Sequence, residues 1–296
     1  MNTKALRRED TPPPGPTSAG NGLDATDVTV AYDGTDVVHQ ADLHLPRGQV
    51  TALIGPNGSG KSTLLRALAR LHRARTGVVR VPAENAATEQ IDALALSRTD
   101  FARRITLLAQ SRTAPSGLSV REVVGFGRHP YRRRLRGTDP DGARRVEHAL
   151  TVTDAAAFAD RGVESLSGGQ LQRVWLACCL AQDTDVLLLD EPTTYLDLRY
   201  QVEILDLVRD LADTHGVTVG VVLHDLDQAA SVADRVVLLS AGRVAATGTP
   251  AEVYDRTLLS ETYGIRVDVD HDTSPGSPRT RAVGRHHLRH SRTERP

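Results

Sequence analysis

Apolar positions along the chain fall into short runs and alternations, punctuated by Gly, Pro and Asp. Asp27-Val28-Thr29-Val30-Ala31-Tyr32 predicts a strand, Asp33-Gly34 a turn, and Ala41–Leu45 a second, half-buried strand. Pro46-Arg47-Gly48 leads into Gln49–Ile54, whose near-continuous apolar run predicts a central strand. Ser62 to Arg70 predicts a helix, with Leu64, Leu65, Leu68 and Leu71 at helical spacing. Further strands are expected at Val78–Val81, Ile105–Leu108, Val186–Asp190, Val217–Leu223 and Arg235–Leu239, with helices at Leu198–Thr214 and Leu226–Ala233. This alternation predicts an α/β sheet with a parallel core. Residues 113 to about 165 hold no strand pattern, and Val120–Phe126 and Asp141–Val152 predict a helical insertion. Pro250 to Tyr263 predicts a closing helix, with Thr249 as its cap and Pro250 at its first position.

Composition changes the picture mainly at the ends. Residues 1–22, with Pro12, Pro13, Pro14 and Pro16, predict a disordered leader. Residues 23–265 read as one domain without internal repeat. Residues 266–296 read as an extension, partly disordered, with a short hairpin of Val267–Val269 and Arg281–Val283 around Pro275-Gly276. His271, His286, His287 and His290 there read as part of a basic tail rather than a metal site. A net charge of -1 argues against general nucleic-acid affinity. No run approaches the ~20 apolar residues of a membrane span, and the amino terminus has no secretory apolar region. Cys178 and Cys179 are adjacent in a predicted helix, a spacing that suits neither a disulfide framework nor a metal site. They read as small buried residues of a reduced cytosolic protein.

Gly55-Pro56-Asn57-Gly58-Ser59-Gly60-Lys61-Ser62-Thr63 fits the phosphate-binding loop, after a strand and before a helix. Backbone amides and the positive helix end then face an anion. Lys61 is expected on the β- and γ-phosphates of a nucleoside triphosphate, and Ser62 on Mg²⁺. Only Lys4 and Lys61 among 36 basic Lys and Arg residues are lysines. A compact ammonium suits that place better than a guanidinium fork. Asp190-Glu191 ends an apolar strand, and two adjacent carboxylates there are costly unless a metal or water needs them. Alternation points the two apart, so Asp190 is expected to reach Mg²⁺ and Glu191 to act as general base. His224 follows Val219–Leu223 and Gln110 follows Ile105–Leu108, which places both at strand ends. His224 is expected to contact the γ-phosphate, and Gln110 the γ-phosphate or Mg²⁺.

Leu166-Ser167-Gly168-Gly169-Gln170, shortly before Val186–Pro192, resembles the signature of ATP-binding cassette (ABC) ATPases. Over roughly residues 23–265 the motifs of that family occur in order: Tyr32, the phosphate loop, Gln110, the signature, Asp190 and Glu191, Leu196-Asp197, and His224. The resemblance implies a P-loop ABC ATPase fold, with a mostly parallel core sheet, an antiparallel β subdomain and the inserted helical subdomain. It implies that Tyr32 stacks on adenine and that Ser167, Gly168, Gly169 and Gln170 cover ATP held by a second copy. Gly127–Tyr131, Ala181-Gln182-Asp183, Pro192–Asp197 and Leu223–Leu226 resemble the ATPases of iron–siderophore, haem and cobalamin importers. Ala109 and Arg199-Tyr200-Gln201 depart from that pattern without touching the expected chemistry. Arg128, Arg132, Arg133, Arg134 and Arg136 read as a solvated face, with docking of a permease helix as the alternative.

The resemblance thus implies an ATP hydrolase using ATP and Mg²⁺, pairing head-to-tail with a second copy at the cytoplasmic membrane face. It would serve separate permease subunits and, through them, an extracellular substrate-binding protein. A ferric siderophore is the expected cargo. Alternatives are haem, cobalamin, zinc, manganese or phosphonate import, an exporter subunit, or a non-transport ABC protein on ribosomes or DNA.

Overall fold

A computed structural model of the chain describes residues 22–83, 86–110, 113, 115–132, 139–272 and 277–284. Residues 1–21 of the expected leader, Arg133, Arg134 and Arg136, Pro275-Gly276, and His286, His287 and His290 lie outside the described residues, whereas Gly22 already starts a strand. In chain order come β1 (Gly22–Tyr32), β2 (Thr35–Pro46), β3 (Val50–Ile54), α1 (Lys61–Leu68), β4 (Ala74–Ala83), β5 (Ala86–Asp92), α2 (Arg98–Ala102) and β6 (Ile105–Leu108). Then follow α3 (Val120–Val124), α4 (Gly142–Val152), α5 (Gly168–Ala181), β7 (Val186–Asp190), α6 (Leu198–Asp213), β8 (Thr218–Val222) and α7 (Leu226–Val232). The chain continues with β9 (Arg235–Ser240), β10 (Arg243–Gly248), α8 (Pro250–Val253), α9 (Arg256–Tyr263), β11 (Arg266–Asp270) and β12 (Arg279–Val283). Among the described residues no helix is long and apolar enough to cross a membrane.

The central sheet has the order β10-β9-β3-β8-β7-β6. β9, β3, β8, β7 and β6 are mutually parallel, and β10 closes one edge antiparallel. Successive residues of β3, β7 and β8 face opposite sides, as pleating requires. Ala52, Ile54, Leu187, Leu189, Val219 and Val221 join α5, α6 and α7 in one core. Leu53, Leu188 and Val222 face the other core, built from α1 and the antiparallel sheet β2-β1-β4-β5. The strands are apolar on both faces because both faces are covered.

A third apolar cluster binds α3 and α4 to α5, through Val120, Val123, Leu150, Val174, Ala177 and Ala181. The helical layer therefore runs past residue 165 and takes in α5. The glycines of the signature turn begin a helix rather than end the layer expected over residues 113 to about 165. Four other expectations are corrected. The closing helix breaks at Tyr254, where Asp255 caps a new helix by accepting the Leu258 amide at 2.8 Å. Leu71 lies beyond α1 and is exposed. Strands β5 and β10 were not expected at all. Arg128 is not on a solvated face. It is buried, donating to Asp139 Oδ2 at 2.7 Å and the Ala181 carbonyl at 2.9 Å, and stacked over Tyr131. The β11–β12 hairpin pairs as expected, Val267 opposite Ala282.

Candidate nucleotide site

The phosphate loop, Gln110, Asp190-Glu191 and His224 follow β3, β6, β7 and β8 respectively, all at carboxyl ends of parallel strands. Crevices outside those ends are where open α/β sheets bind ligands. Register makes them neighbours, since Leu53 and Asp190 both lie opposite Val222. A cleft of about 450 Å³ opens there, lined by Asn57, Gly58, Gly60, Lys61, Ser62, Thr63, Gln110, Glu191, Thr194, Tyr195 and His224. A somewhat larger cleft of about 520 Å³ sits at the amino-terminal edge of the strands, and none of the expected nucleotide-site residues lines it.

The phosphate loop is built against the sheet. At Gly55 (φ 142°) a Cβ would fall 2.1 Å from the Leu239 carbonyl oxygen, so no side chain fits. Ser59 is buried with its hydroxyl unpartnered among the described residues, and its carbonyl accepts the Gly242 amide at 3.1 Å. Lys61 Nζ donates to the Gly55 and Pro56 carbonyls at 2.8 and 3.0 Å, which folds the loop around the ammonium. Burial holds the Lys61 pKa below its ordinary value, partly offset by the carboxylates of Glu191 and Asp190. α1 begins at Lys61 itself, so its first amides point into the cleft.

Glu191 leaves the strand with φ 55°, a backbone turn that swings its carboxylate over the cleft. Its Oε1 lies 2.5 Å from His224 Nε2. Its Oε2 accepts from Gln110 Nε2 at 2.5 Å and from Thr194 Oγ1 at 3.1 Å. Three side chains from three strand ends therefore fix one carboxylate. Asp190 remains on the strand and is buried, with Oδ2 taking Arg66 Nε at 3.2 Å and Nη2 at 3.0 Å. Its Oδ1 is buried and has no hydrogen-bond partner among the described residues. A buried, half-satisfied carboxylate suits a hard divalent cation, and the Ser62 hydroxyl lines the cleft from the start of α1. Ser62 and Asp190 are thus the residues that fit Mg²⁺.

The structure gathers Lys61, Ser62, Gln110, Glu191 and His224, and leaves Tyr32, the signature and the buried Asp190 outside the cleft lining. Tyr32 ends β1 and stands edge-on to His72, its hydroxyl meeting the imidazole. Ser167 caps α5, and with Gln170 it forms a reciprocal capping box: the Gln170 amide donates to Ser167 Oγ at 3.3 Å, and the Ser167 amide to Gln170 Oε1 at 3.1 Å. Gly169 has a packing reason, because a Cβ would fall 2.4 Å from the Tyr200 ring, whereas at Gly168 the nearest atom is 3.8 Å away. The departure at Tyr200 therefore does touch a predicted site glycine. Gln201 Nε2 donates to the Leu196 carbonyl at 3.0 Å, tying the Leu196-Asp197 turn to α6. Thr194, Tyr195 and Arg66 were not expected. Arg66 carried one signal, its four-residue spacing from Ser62, which puts both on one helix face.

Comparison with known proteins agrees with this geometry. The family described as "ABC transporter" matches residues 38–194. The chain belongs to the ABC transporter family. Among ABC transporter relatives, a petrobactin import ATP-binding protein of Bacillus anthracis is 40% identical over 86% of this chain and 91% of its own length. A ferric enterobactin transport ATP-binding protein of Escherichia coli is 38% identical over 87% of this chain and 93% of its own. A dimeric ATP-binding cassette in a post-hydrolysis state, bound to ADP and phosphate, superposes with a TM-score of 0.63 at 26% identity, over 77% of this chain and 98% of that one. The ABC ATPase fold expected from the motifs is the fold observed.

Proposed function

We propose that this chain is the ATP-hydrolysing subunit of an ABC importer for a ferric siderophore or similar iron chelate. One observation carries the chemistry: a single carboxylate, Glu191, is fixed over the phosphate loop by Gln110, Thr194 and His224. Lys61 supplies a point charge to the β- and γ-phosphates. Glu191 orients the attacking water and takes its proton, and His224 and Gln110 keep that carboxylate in place. Mg²⁺ held at Ser62 and Asp190 would neutralise charge on the transferred phosphoryl group. Tyr32 stacks on the base.

The signature completes the site from a second copy. Ser167–Gln170 start α5 outside the cleft of their own chain, so their amides serve nucleotide in trans. The dimeric relative with ADP and phosphate supports that reading. Paired subunits would dock on permease chains at the cytoplasmic membrane face, fed by an extracellular binding protein. Iron as cargo is supported by the petrobactin and ferric enterobactin relatives.

Two experiments test this. Ser167→Arg should bind ATP as a monomer yet not hydrolyse it, and mixing it with Lys61→Ala should restore partial activity through the one intact composite site. Normal hydrolysis by Ser167→Arg alone would refute the shared site. For the cargo, a deletion strain should lose uptake of labelled iron given as a siderophore chelate. Unimpaired siderophore uptake with lost haem or cobalamin uptake would reassign the cargo and leave the chemistry standing.

A further inference from the structure

Asp190 is held by a residue outside every motif. Arg66 lies in the last turn of α1, and both its Nε and its Nη2 reach the same oxygen, Oδ2, at 3.2 and 3.0 Å. A guanidinium fork matches both oxygens of a carboxylate, and that two-oxygen pairing is the strong one. Here the fork closes on one oxygen and spares the other. Asp190 Oδ1 has no hydrogen-bond partner among the described residues, in a side chain with 0% of its surface exposed. Lys61 Nζ donates to the Gly55 and Pro56 carbonyls and makes no hydrogen bond to that oxygen among the described residues. An unpaired buried carboxylate oxygen costs free energy unless another group engages it. Ser62 and Arg66 share one face of α1, so the helix that presents the hydroxyl to the cleft also grips the carboxylate.

We propose that Arg66 is a positioning residue for the metal half of the nucleotide site: it anchors Asp190 through Oδ2 and so reserves Oδ1 for a divalent cation or one of its waters. The inference rests on reading the cleft as a metal–nucleotide site. Arg66 acts through Asp190 and not on the phosphates. Without it, the carboxylate is free to rotate or to turn toward Lys61.

The test uses the full chain, with Mn²⁺ as the probe. ATP affinity is first measured in EDTA, and the ATP complex is then titrated with Mn²⁺, free ion being counted by electron paramagnetic resonance against ATP alone. Arg66→Gln should leave metal-free ATP affinity unchanged and weaken Mn²⁺ binding about 10–100-fold, as loss of an outer-shell partner does. Arg66→Lys, which keeps a single point donor, should recover part of the loss. It also carries the test if the Gln variant does not fold. Unchanged Mn²⁺ affinity in both variants would make Arg66 merely structural. Tighter Mn²⁺ binding would make it a competitor of the metal. Either result overturns the proposal. If the wild-type ATP complex holds no more Mn²⁺ than ATP alone, the reading of the site fails instead, and the wild-type arm shows it.

Discussion

Replacing Glu191 by Gln isolates one proton-accepting oxygen pair from everything else the side chain does. The carboxylate is 11% exposed and has three partners: His224, Gln110 and Thr194. A glutamine has the same shape. Its amide oxygen can still accept from Gln110 and Thr194, and its NH₂ can donate to a neutral His224 Nε2. The positive-φ backbone and the cleft wall are therefore retained, and the fold should not suffer. What is lost is basicity, and a general base contributes about 10²–10⁴-fold, or roughly 3–5 kcal/mol of barrier. A negative charge near Lys61 and the incoming phosphates is lost as well, so ATP should bind no more weakly than to wild type. Phosphate release in the steady state, alongside nucleotide titration and size-exclusion with ATP, measures all three. The expected result is turnover down by that factor, ATP affinity kept or raised, and accumulation of an ATP-bound dimer. Near-wild-type turnover would refute the assignment of Glu191 as base. A parallel loss of affinity and stability would show that its partners depend on the carboxylate for structure. Glu191→Ala should show that second pattern, because it strands Gln110 and His224.

The two signature glycines should separate packing from chemistry. Gly169→Ala must push a Cβ into the Tyr200 ring and should cost about 1–3 kcal/mol in denaturant unfolding, whereas Gly168→Ala has room and should leave unfolding unchanged while impairing dimer turnover. Lys61 binds phosphate as an ammonium, and burial lowers its pKa from 10.5. ATP affinity should therefore begin to fall, as pH rises, before pH reaches 10.5, and Lys61→Arg should remove that inflection in calorimetric titrations. Tyr32→Ala should weaken ATP binding by roughly 1–3 kcal/mol if the ring stacks on the base and leave tripolyphosphate binding unchanged. Equal effects on both ligands would make Tyr32 a packing residue.

The parts of the fold legible in the sequence are those dictated by burial on both sides. β6 and β7 occupy the residues their apolar runs predict, Ile105–Leu108 and Val186–Asp190. β5 and β10 were invisible because their text is small and polar: Ala86–Asp92 contains no large apolar residue except Ile91, and Arg243–Gly248 alternates weakly at an edge. The closing helix was read through its own break because Tyr254 and Asp255 keep the apolar period, while the Asp255 cap competes locally with helix continuation. In the cleft, residues at strand ends were legible because chemistry and position coincide. Arg66 and Arg128 were not, because the pairing of a guanidinium depends on which distant carboxylate meets it. Asp190 and Asp139 are those carboxylates, and neither is near its partner in a readable local pattern.

The neighbours of β3 in the central sheet carry a consequence for biosynthesis. The strand that launches the phosphate loop pairs with β8 on one side and β9 on the other, Val50 lying opposite Val219 and Ala52 opposite Val236. Among the described residues no earlier segment hydrogen-bonds to β3 within that sheet. A nascent chain emerging amino terminus first therefore carries its triphosphate-binding loop on an unflanked strand until the residues of β8 and β9 have cleared the ribosome. Such long-range parallel pairing forms late. Release of truncated chains ending before β8 should yield species that retain the whole loop sequence yet lack both flanking strands. An exposed strand of that kind is a target for holding chaperones.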